Sequence, residues 1–323
     1  AIALLSGPVS ANDLSMTAVK DTLASIPGEH NYIYVRTPLG EDEEKNYDEI
    51  TFYDGLGREL DFAQSYGADR AGAIMAHHHL IEYDSLGRKE KQWLSTNTSF
   101  SYMSPEDLKG GVLWDYHDAG KRSYLQTNYE SSPLNRITEQ YGVGDAWGDH
   151  PARMEYLTNI PADSLRCSFY FIDDNDSLIR RGDYRSGELQ VTKATDEDGK
   201  PTYTFVDKQG RTLLTRLGRG NQQADTYFVF DRFGRIRYVL PPMINDEISA
   251  GNLDLYAYQY LYDSFGRCIS KKLPGCAAIG YVYDKADRVI LSQNGNQSQK
   301  KEWTFTFYDN QGRLALTGLC SFN

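Results

Sequence analysis

Positive charge is what this sequence has least of: 34 Lys and Arg stand against 45 Asp and Glu, for a net charge of −11 and a pI near 5.1. Without a basic run to neutralise phosphates, a nucleic-acid partner is excluded. Long apolar runs are missing too. No 18-residue apolar stretch occurs and the mean hydropathy is −0.58, which excludes a helical membrane span. The four cysteines, Cys167, Cys268, Cys276 and Cys320, have no metal-type spacing and are too few for a disulfide scaffold. Cys268 and Cys276 could pair across neighbouring strands, and free buried thiols are the preferred reading. No Gly-x-Ser-x-Gly elbow, His-Glu-x-x-His helix, phosphate loop or Cys-x-x-Cys is present, so neither an enzyme nor a cofactor or metal protein is expected.

Aromatic residues are abundant: 24 Tyr, 13 Phe and 4 Trp, a composition that favours strands. They recur in one phrase, written most plainly as Tyr262-Asp263-Ser264-Phe265-Gly266-Arg267. The same order of aromatic, Asp, two free residues, Gly and Arg returns at Tyr53-Asp54 with Gly57-Arg58, and at Tyr83-Asp84 with Gly87-Arg88. It returns again at Phe230-Asp231 with Gly234-Arg235 and at Tyr308-Asp309 with Gly312-Arg313. Two copies bend the rule: Val206 precedes Asp207, Gly210 and Arg211, and Asp287 takes the glycine place between Tyr283-Asp284 and Arg288. Asp196 with Gly199-Lys200, and Asp174 with Ser177 in the glycine place, are fainter copies.

The spacing has a physical meaning. Asp at the first position of a type I turn accepts a hydrogen bond from the backbone N–H two residues on, and Gly three residues later takes the positive φ that closes the loop as a bulge. Each copy therefore predicts a β-hairpin tip, with guanidinium, carboxylate and ring meeting across that hairpin's own mouth. Five of the intervals between copies run from 21 to 32 residues, which suits two strands and a connection. Hairpins at that spacing must pair edge to edge, and a sheet of so many strands curls or splits. The predicted fold is all-β: consecutive antiparallel β-hairpins in one long curled or spiral sheet, with at most one short N-terminal helix.

Along the chain, residues 1–30 read as an N-terminal segment. Ala1–Leu5 and Val9-Ser10-Ala11 are compatible with the tail of a secretion signal that lacks its basic start, and Met16, Val19, Leu23 and Ile26 fall at helical spacing. Residues 31–323 read as the hairpin region, with Tyr32–Val35 as its first strand, Glu41–Glu44 as a solvated loop, and 95–165 as an irregular connection packed by Trp147. His77-His78-His79 lead into a strand where only His77 and His79 share a side, and no third ligand is nominated. Asp145, Asp149 and His150 are a weak cation candidate. Asp173-Asp174 and Asp196-Asp198 read as turn caps sooner than as hydrolytic or calcium-binding carboxylates. Tyr256, Tyr258, Tyr260 and Tyr262 alternate with Leu255, Ala257, Gln259 and Leu261; they form the candidate ligand platform, for sugar rings, with packing the preferred alternative. Trp303, Phe305 and Phe307 alternate in the same way.

Tyr-Asp-x-x-Gly-Arg hairpins at these intervals resemble the YD-repeat, or rearrangement-hotspot (RHS), family across roughly residues 31–318. Leu273-Pro274-Gly275 before Tyr281–Arg288, and Glu139–Gly142 running into Gly144–Trp147, resemble the form found in Bacteroidetes surface proteins. The resemblance implies a segment of a hollow β-shell, secreted or on the cell surface, belonging to a longer polypeptide and helping to enclose or present a C-terminal effector. It implies a second possibility, adhesion or carbohydrate binding. No Asp-Pro pair occurs, so no self-cleavage residues carry over. What such a shell would enclose, which ligand would meet its aromatics, and whether the segment closes or oligomerises are left open by the sequence.

Overall fold

The computed structural model describes residues 2–5, 31–38, 46–65, 75–117, 120–218, 223–244 and 247–321. The helix expected within 12–26 and the acidic loop at 41–44 lie outside them. The chain divides into two compact units, Ala1–Met154 and Glu155–Asn323.

In the first unit, β1 (Ile2–Leu5) runs parallel to β2 (Asn31–Pro38), which pairs antiparallel with β3 (Asn46–Tyr53). The Asp54 turn joins β3 to β4 (Glu59–Ser65), and β4 pairs with β5 (Met75–Tyr83). β5 has two partners along its other edge. Its end is joined through the Asp84 turn to β6 (Lys89–Trp93), while its start pairs with β7 (Thr96–Ser99). The helix Pro105–Asp115 follows, capped by the Ser104 side chain, which accepts from the Asp107 N–H. It buries Leu108 and Val112, and Gly111 lies so close to Thr96 that a Cβ would stand 2.8 Å from the threonine hydroxyl. Beyond it, β6 pairs with β8 (Tyr124–Tyr129), β8 with β9 (Ile137–Tyr141), and β9 with β10 (Ala152–Thr158). Residues 95–165 thus hold paired strands where the sequence suggested an irregular connection. The core of this unit is Tyr34, Ile50, Phe52, Ala63 and Ala76, which point inward from their strands, with Phe100 just beyond β7.

In the second unit, β11 (Ser168–Ile172) and β12 (Leu178–Asp183) form a separate two-stranded hairpin. It packs on a meander that runs through β13 (Gln190–Thr195), β14 (Pro201–Val206), β15 (Thr212–Leu217), β16 (Ala224–Phe230) and β17 (Ile236–Leu240). The core between them includes Tyr170, Leu178, Val191, Phe205, Leu214, Tyr227 and Val229. Inside it the Arg216 guanidinium holds both oxygens of Asp225 and donates to the carbonyls of Ser164 and Arg166, so that buried charge is fully paired.

The meander continues antiparallel through β18 (Tyr258–Tyr262), β19 (Cys268–Lys272), β20 (Ile279–Tyr283), β21 (Val289–Gln293), β22 (Glu302–Tyr308) and β23 (Leu314–Ser321). None of the described residues after Ala257 is buried. That half of the meander is a single layer, held by its strand pairing and by contacts between neighbouring hairpins.

The all-β reading holds, with a correction. Three short helices occur among the described residues, Pro105–Asp115, Ala250–Tyr256 and Gly295–Lys300, where an N-terminal one alone was expected. Each sits in a connection between strands and is capped by a polar side chain: Ser104, Ser249 and Asn294. They are too short for hydrophobic periodicity to reveal them. No described helix is long and apolar enough to cross a membrane.

Candidate functional site

The hairpin tips are built as the spacing predicts. At Asp54 the carboxylate Oδ1 accepts from the N–H of Leu56 and of Arg58, both at 2.8 Å, while Oδ2 takes the Arg58 Nε at 2.6 Å. The Asp54 N–H donates to the Arg58 carbonyl, and the Gly57 N–H donates back to the Asp54 carbonyl. Asp84 with Gly87 and Arg88, Asp207 with Gly210 and Arg211, Asp231 with Gly234 and Arg235, Asp263 with Gly266 and Arg267, and Asp309 with Gly312 and Arg313 repeat this pattern. The six glycines have φ between 76° and 84°, and Asp287 stands at 60° in the same place. Each tip carries a register shift just before its Asp, the expected bulge.

Two fainter copies resolve differently. Asp196 is a true tip, with Gly199 at φ 79°. The copy placed at Asp174 is one residue out of frame: Asp173 caps the turn, Asp176 has φ 64° in the glycine place, and Ser177 closes it. Asp tolerates that region better than most residues, which hid the tip from a search for glycine. A further tip was missed altogether. Tyr129-Glu130 leads into Asn135-Arg136, where Glu130 binds Arg136 through both oxygens and Asn135 has φ 54°. The longer acid spans a loop two residues longer, and an aromatic–acid pair followed by Asn-Arg was the available signal.

The arginines depart from expectation. Each holds its own Asp; Arg235 and Arg267 also lie over Phe233 and Phe265 of their own tips, and six of the seven cover the strand-end ring of the next hairpin. Arg58 lies 4.5 Å over Tyr83 and Arg88 4.7 Å over Tyr129 in the first unit; in the second, Arg211 covers Phe230, Arg235 Tyr262, Arg267 Tyr283, and Arg288 Tyr308. The same tyrosines reach back. Tyr83, Tyr129, Tyr262, Tyr283 and Tyr308 donate their hydroxyls to the carbonyls of Glu59, Lys89, Ile236, Cys268 and Val289, in each case the residue after the covering arginine. Arg235 and Arg267 also donate to the carbonyls of Asp263 and Asp284. The contact expected within one hairpin mouth is thus an interlock between consecutive hairpins, because the Tyr and Arg of one tip are splayed by its bulge.

The aromatic ladder is shorter than it reads. Tyr256 closes the helix Ala250–Tyr256 and packs against the core, so it does not share a strand with Tyr258, Tyr260 and Tyr262. Tyr262 is committed to the interlock. Following the register across the sheet, Tyr260 lies opposite Lys271, and Lys271 opposite Ile279; Tyr281, on the same face as Ile279, meets Ser292, which meets Thr304. Trp303, Phe305 and Phe307 therefore occupy the opposite face from the tyrosines. Phe305 covers Gly318, where a Cβ would stand 2.7 Å from its ring.

Among the remaining candidates, His78 and Asp145 are held in structural hydrogen bonds. His78 is buried between Asp61 Oδ2 at 2.7 Å and the Ser99 carbonyl at 3.0 Å, and Asp61 Oδ1 has no hydrogen-bond partner. Asp145 accepts from the N–H groups of Lys121 and Arg122. No grouping of three metal-ligating side chains occurs among the described residues. All four cysteines are free: Cys167 is buried, which pushes its thiol up to about 12, Cys268 and Cys320 are half-buried, and Cys276 is exposed. A hollow of ≈630 Å³ beside Tyr184 is lined by both signs of charge, including Arg181, Arg185, Asp183 and Glu188. Its Asp207 and Arg211 are spent on each other as a tip.

Residues 31–158 match a family described as a domain of unknown function, DUF6443. No curated protein sequence matches the chain. Among solved structures, the chain is similar to one titled "Crystal Structure of TcdB2-TccC3-Cdc42", with a TM-score of 0.59 and 14% identity over 95% of this chain. It is also similar to "Crystal Structure of TcdB2-TccC3", with a TM-score of 0.58 and 13% identity over 97% of this chain. This chain covers 15% of the length of each. At such identity the likeness shows the fold alone, an antiparallel array of β-hairpins.

Proposed function

We propose that this chain is a non-catalytic wall segment of an RHS/YD-repeat protein, working outside the cell or on its surface and helping to enclose or present a C-terminal effector. The interlock carries this reading. The most regular side chains of the sequence, the Asp, Arg and Tyr of each copy, are spent on holding one hairpin to the next, which is the economy of a wall. Similarity to segments of much longer chains supports the same reading. In the purified chain, a panel of glycoside, ester, phosphoester and peptide substrates should show no turnover above background. With a folded reporter fused after Asn323, electron microscopy should find the reporter at one fixed position on the sheet. Turnover abolished by a single carboxylate substitution, or a reporter averaged out of the images, would overturn it.

A second reading is carbohydrate binding. Tyr258 and Tyr260 are half-buried on one sheet face and their hydroxyls have no hydrogen-bond partner among the described residues. Glycan-array binding that disappears on Tyr260→Ala would favour it, and a blank array would dispose of it.

A further inference from the structure

The hollow of ≈630 Å³ beside Tyr184 has no part in the interlock apart from the Asp207–Arg211 pair on its lining. Three segments of the second unit close around it: β12, the connection 184–189 and the Asp207 tip. Two of them are shaped by features the hairpin array does not need. In β12, Arg181 and Gly182 together stand against Phe169, a bulge with Gly182 at φ 75°, and bulges re-aim the side chains beside them. The connection is fixed by Asn159, which is fully buried. Its amide nitrogen donates to the carbonyls of Tyr184 and Arg185, its amide oxygen accepts from the Leu189 N–H, and its own carbonyl accepts from the Gly187 N–H.

The charges on this lining do not cancel. All three carboxylates are engaged: Asp207 by Arg211, Glu188 by the Arg185 N–H at 2.9 Å, and Asp183 by Arg180 at 3.5 Å. Of the four cations, Arg211 alone is engaged. The side chains of Arg181, Arg185 and Lys208 have no partner among the described residues, and all three residues are exposed. Phe169 and Tyr184 meet edge to face at 4.8 Å, and the Tyr184 hydroxyl, which burial keeps protonated, has no partner among the described residues either.

We propose that this hollow binds a short acidic sugar chain, with Arg181, Arg185 and Lys208 taking its carboxylates, a sugar ring against Phe169 and Tyr184, and Asp183 and Glu188 accepting from its hydroxyls. Its size lies within the range of small-molecule sites, about 300–1,000 Å³. Free guanidinium and ammonium groups call for an anion, because a charge-assisted hydrogen bond is stronger than a neutral one. The carboxylates between them call for hydroxyl donors, which a sugar acid carries and a hydrophobic acid lacks, so the latter would leave acceptors unsatisfied. A neutral sugar would leave the cations unused. Tyr258 and Tyr260 are not on this lining, and the site does not depend on the wall reading.

The test is calorimetry on the full chain. Trigalacturonate should bind saturably at one-to-one stoichiometry, while a neutral galactose trisaccharide and benzoate should not bind. Arg185→Gln and Lys208→Gln, which alter exposed side chains and should not move the melting temperature, should each weaken binding about tenfold. Tyr260→Ala should leave it unchanged, and hydrogen exchange should show new protection at 184–189 and around Asp207. Absence of saturable binding, equal binding of the neutral trisaccharide or of benzoate, indifference to both cation substitutions, or loss on Tyr260→Ala would each overturn the assignment.

Discussion

His78 and Asp61 show how one residue can be decisive without being a ligand site. A carboxylate and a backbone carbonyl flank the ring, each within hydrogen-bond distance of one of its nitrogens. The pair is buried, and Asp61 Oδ1 has no other partner. Removing one member of a buried hydrogen-bonded pair leaves the other unsatisfied at a cost of about 1–3 kcal/mol, whereas replacing both by apolar groups is often near neutral. His78→Leu should therefore lower stability in urea by about that amount, and the double variant Asp61→Leu with His78→Leu should recover most of it. Equal loss in the single and double variants would show that the pair is not what matters.

At the scale of the hairpin, two features make separate predictions. Gly57 and Gly87 have nearly the same positive φ, but a Cβ on Gly57 meets nothing within 4 Å, while one on Gly87 would stand 3.0 Å from an Arg58 nitrogen. Gly57→Ala should cost only the backbone term, about 1–2 kcal/mol; Gly87→Ala should cost more, since it also displaces the arginine that covers Tyr83. Thermal melting of the two variants gives the comparison. The interlock offers a gain as well as a loss. Phe230 occupies the tyrosine place over which Arg211 lies but has no hydroxyl. Phe230→Tyr should bond the Thr212 carbonyl and raise stability by about 1 kcal/mol, and Tyr262→Phe should lower it by a similar amount. Hydrogen exchange at β15 and β16, and at β17 and β18, would show whether each effect stays with its neighbouring strands.

Over the whole chain, the tip carboxyls act together. Backbone hydrogen bonds from the arginines' own N–H groups, followed by other bonds and charges, hold Asp54, Asp284 and Asp309 below the usual aspartate value. Asp84, Asp207, Asp231 and Asp263 are also held below it: burial opposes the shift, and the arginine's N–H and guanidinium outweigh it. Glu130 is held down to about 2 by the Arg136 guanidinium and the Ser132 hydroxyl. A carboxyl whose folded value lies below its unfolded one contributes stability above the unfolded value and loses it as pH falls through the folded one. The melting temperature should accordingly be flat near neutrality and fall steeply from about pH 4.5 to pH 2. A melting temperature independent of pH across that window would mean that the tips contribute no linked stability.

The sequence by itself determined the turns. A side chain that caps its own backbone, a residue free to take positive φ and the two-residue alternation of a strand are local chemistry, so Asp263, Gly266 and Arg267 could be placed without knowing any neighbour. Local rules failed where the residue type was permissive, at Asp176 and Asn135, and where caps stood outside long periodic runs, as at Ser249 and Asn294. Tertiary structure alone decided which ring each arginine covers, which face Trp303 presents and that Tyr256 leaves the ladder. Those facts depend on strand register, which is set by partners remote in sequence, and a shift of one residue moves a side chain to the other side of the sheet.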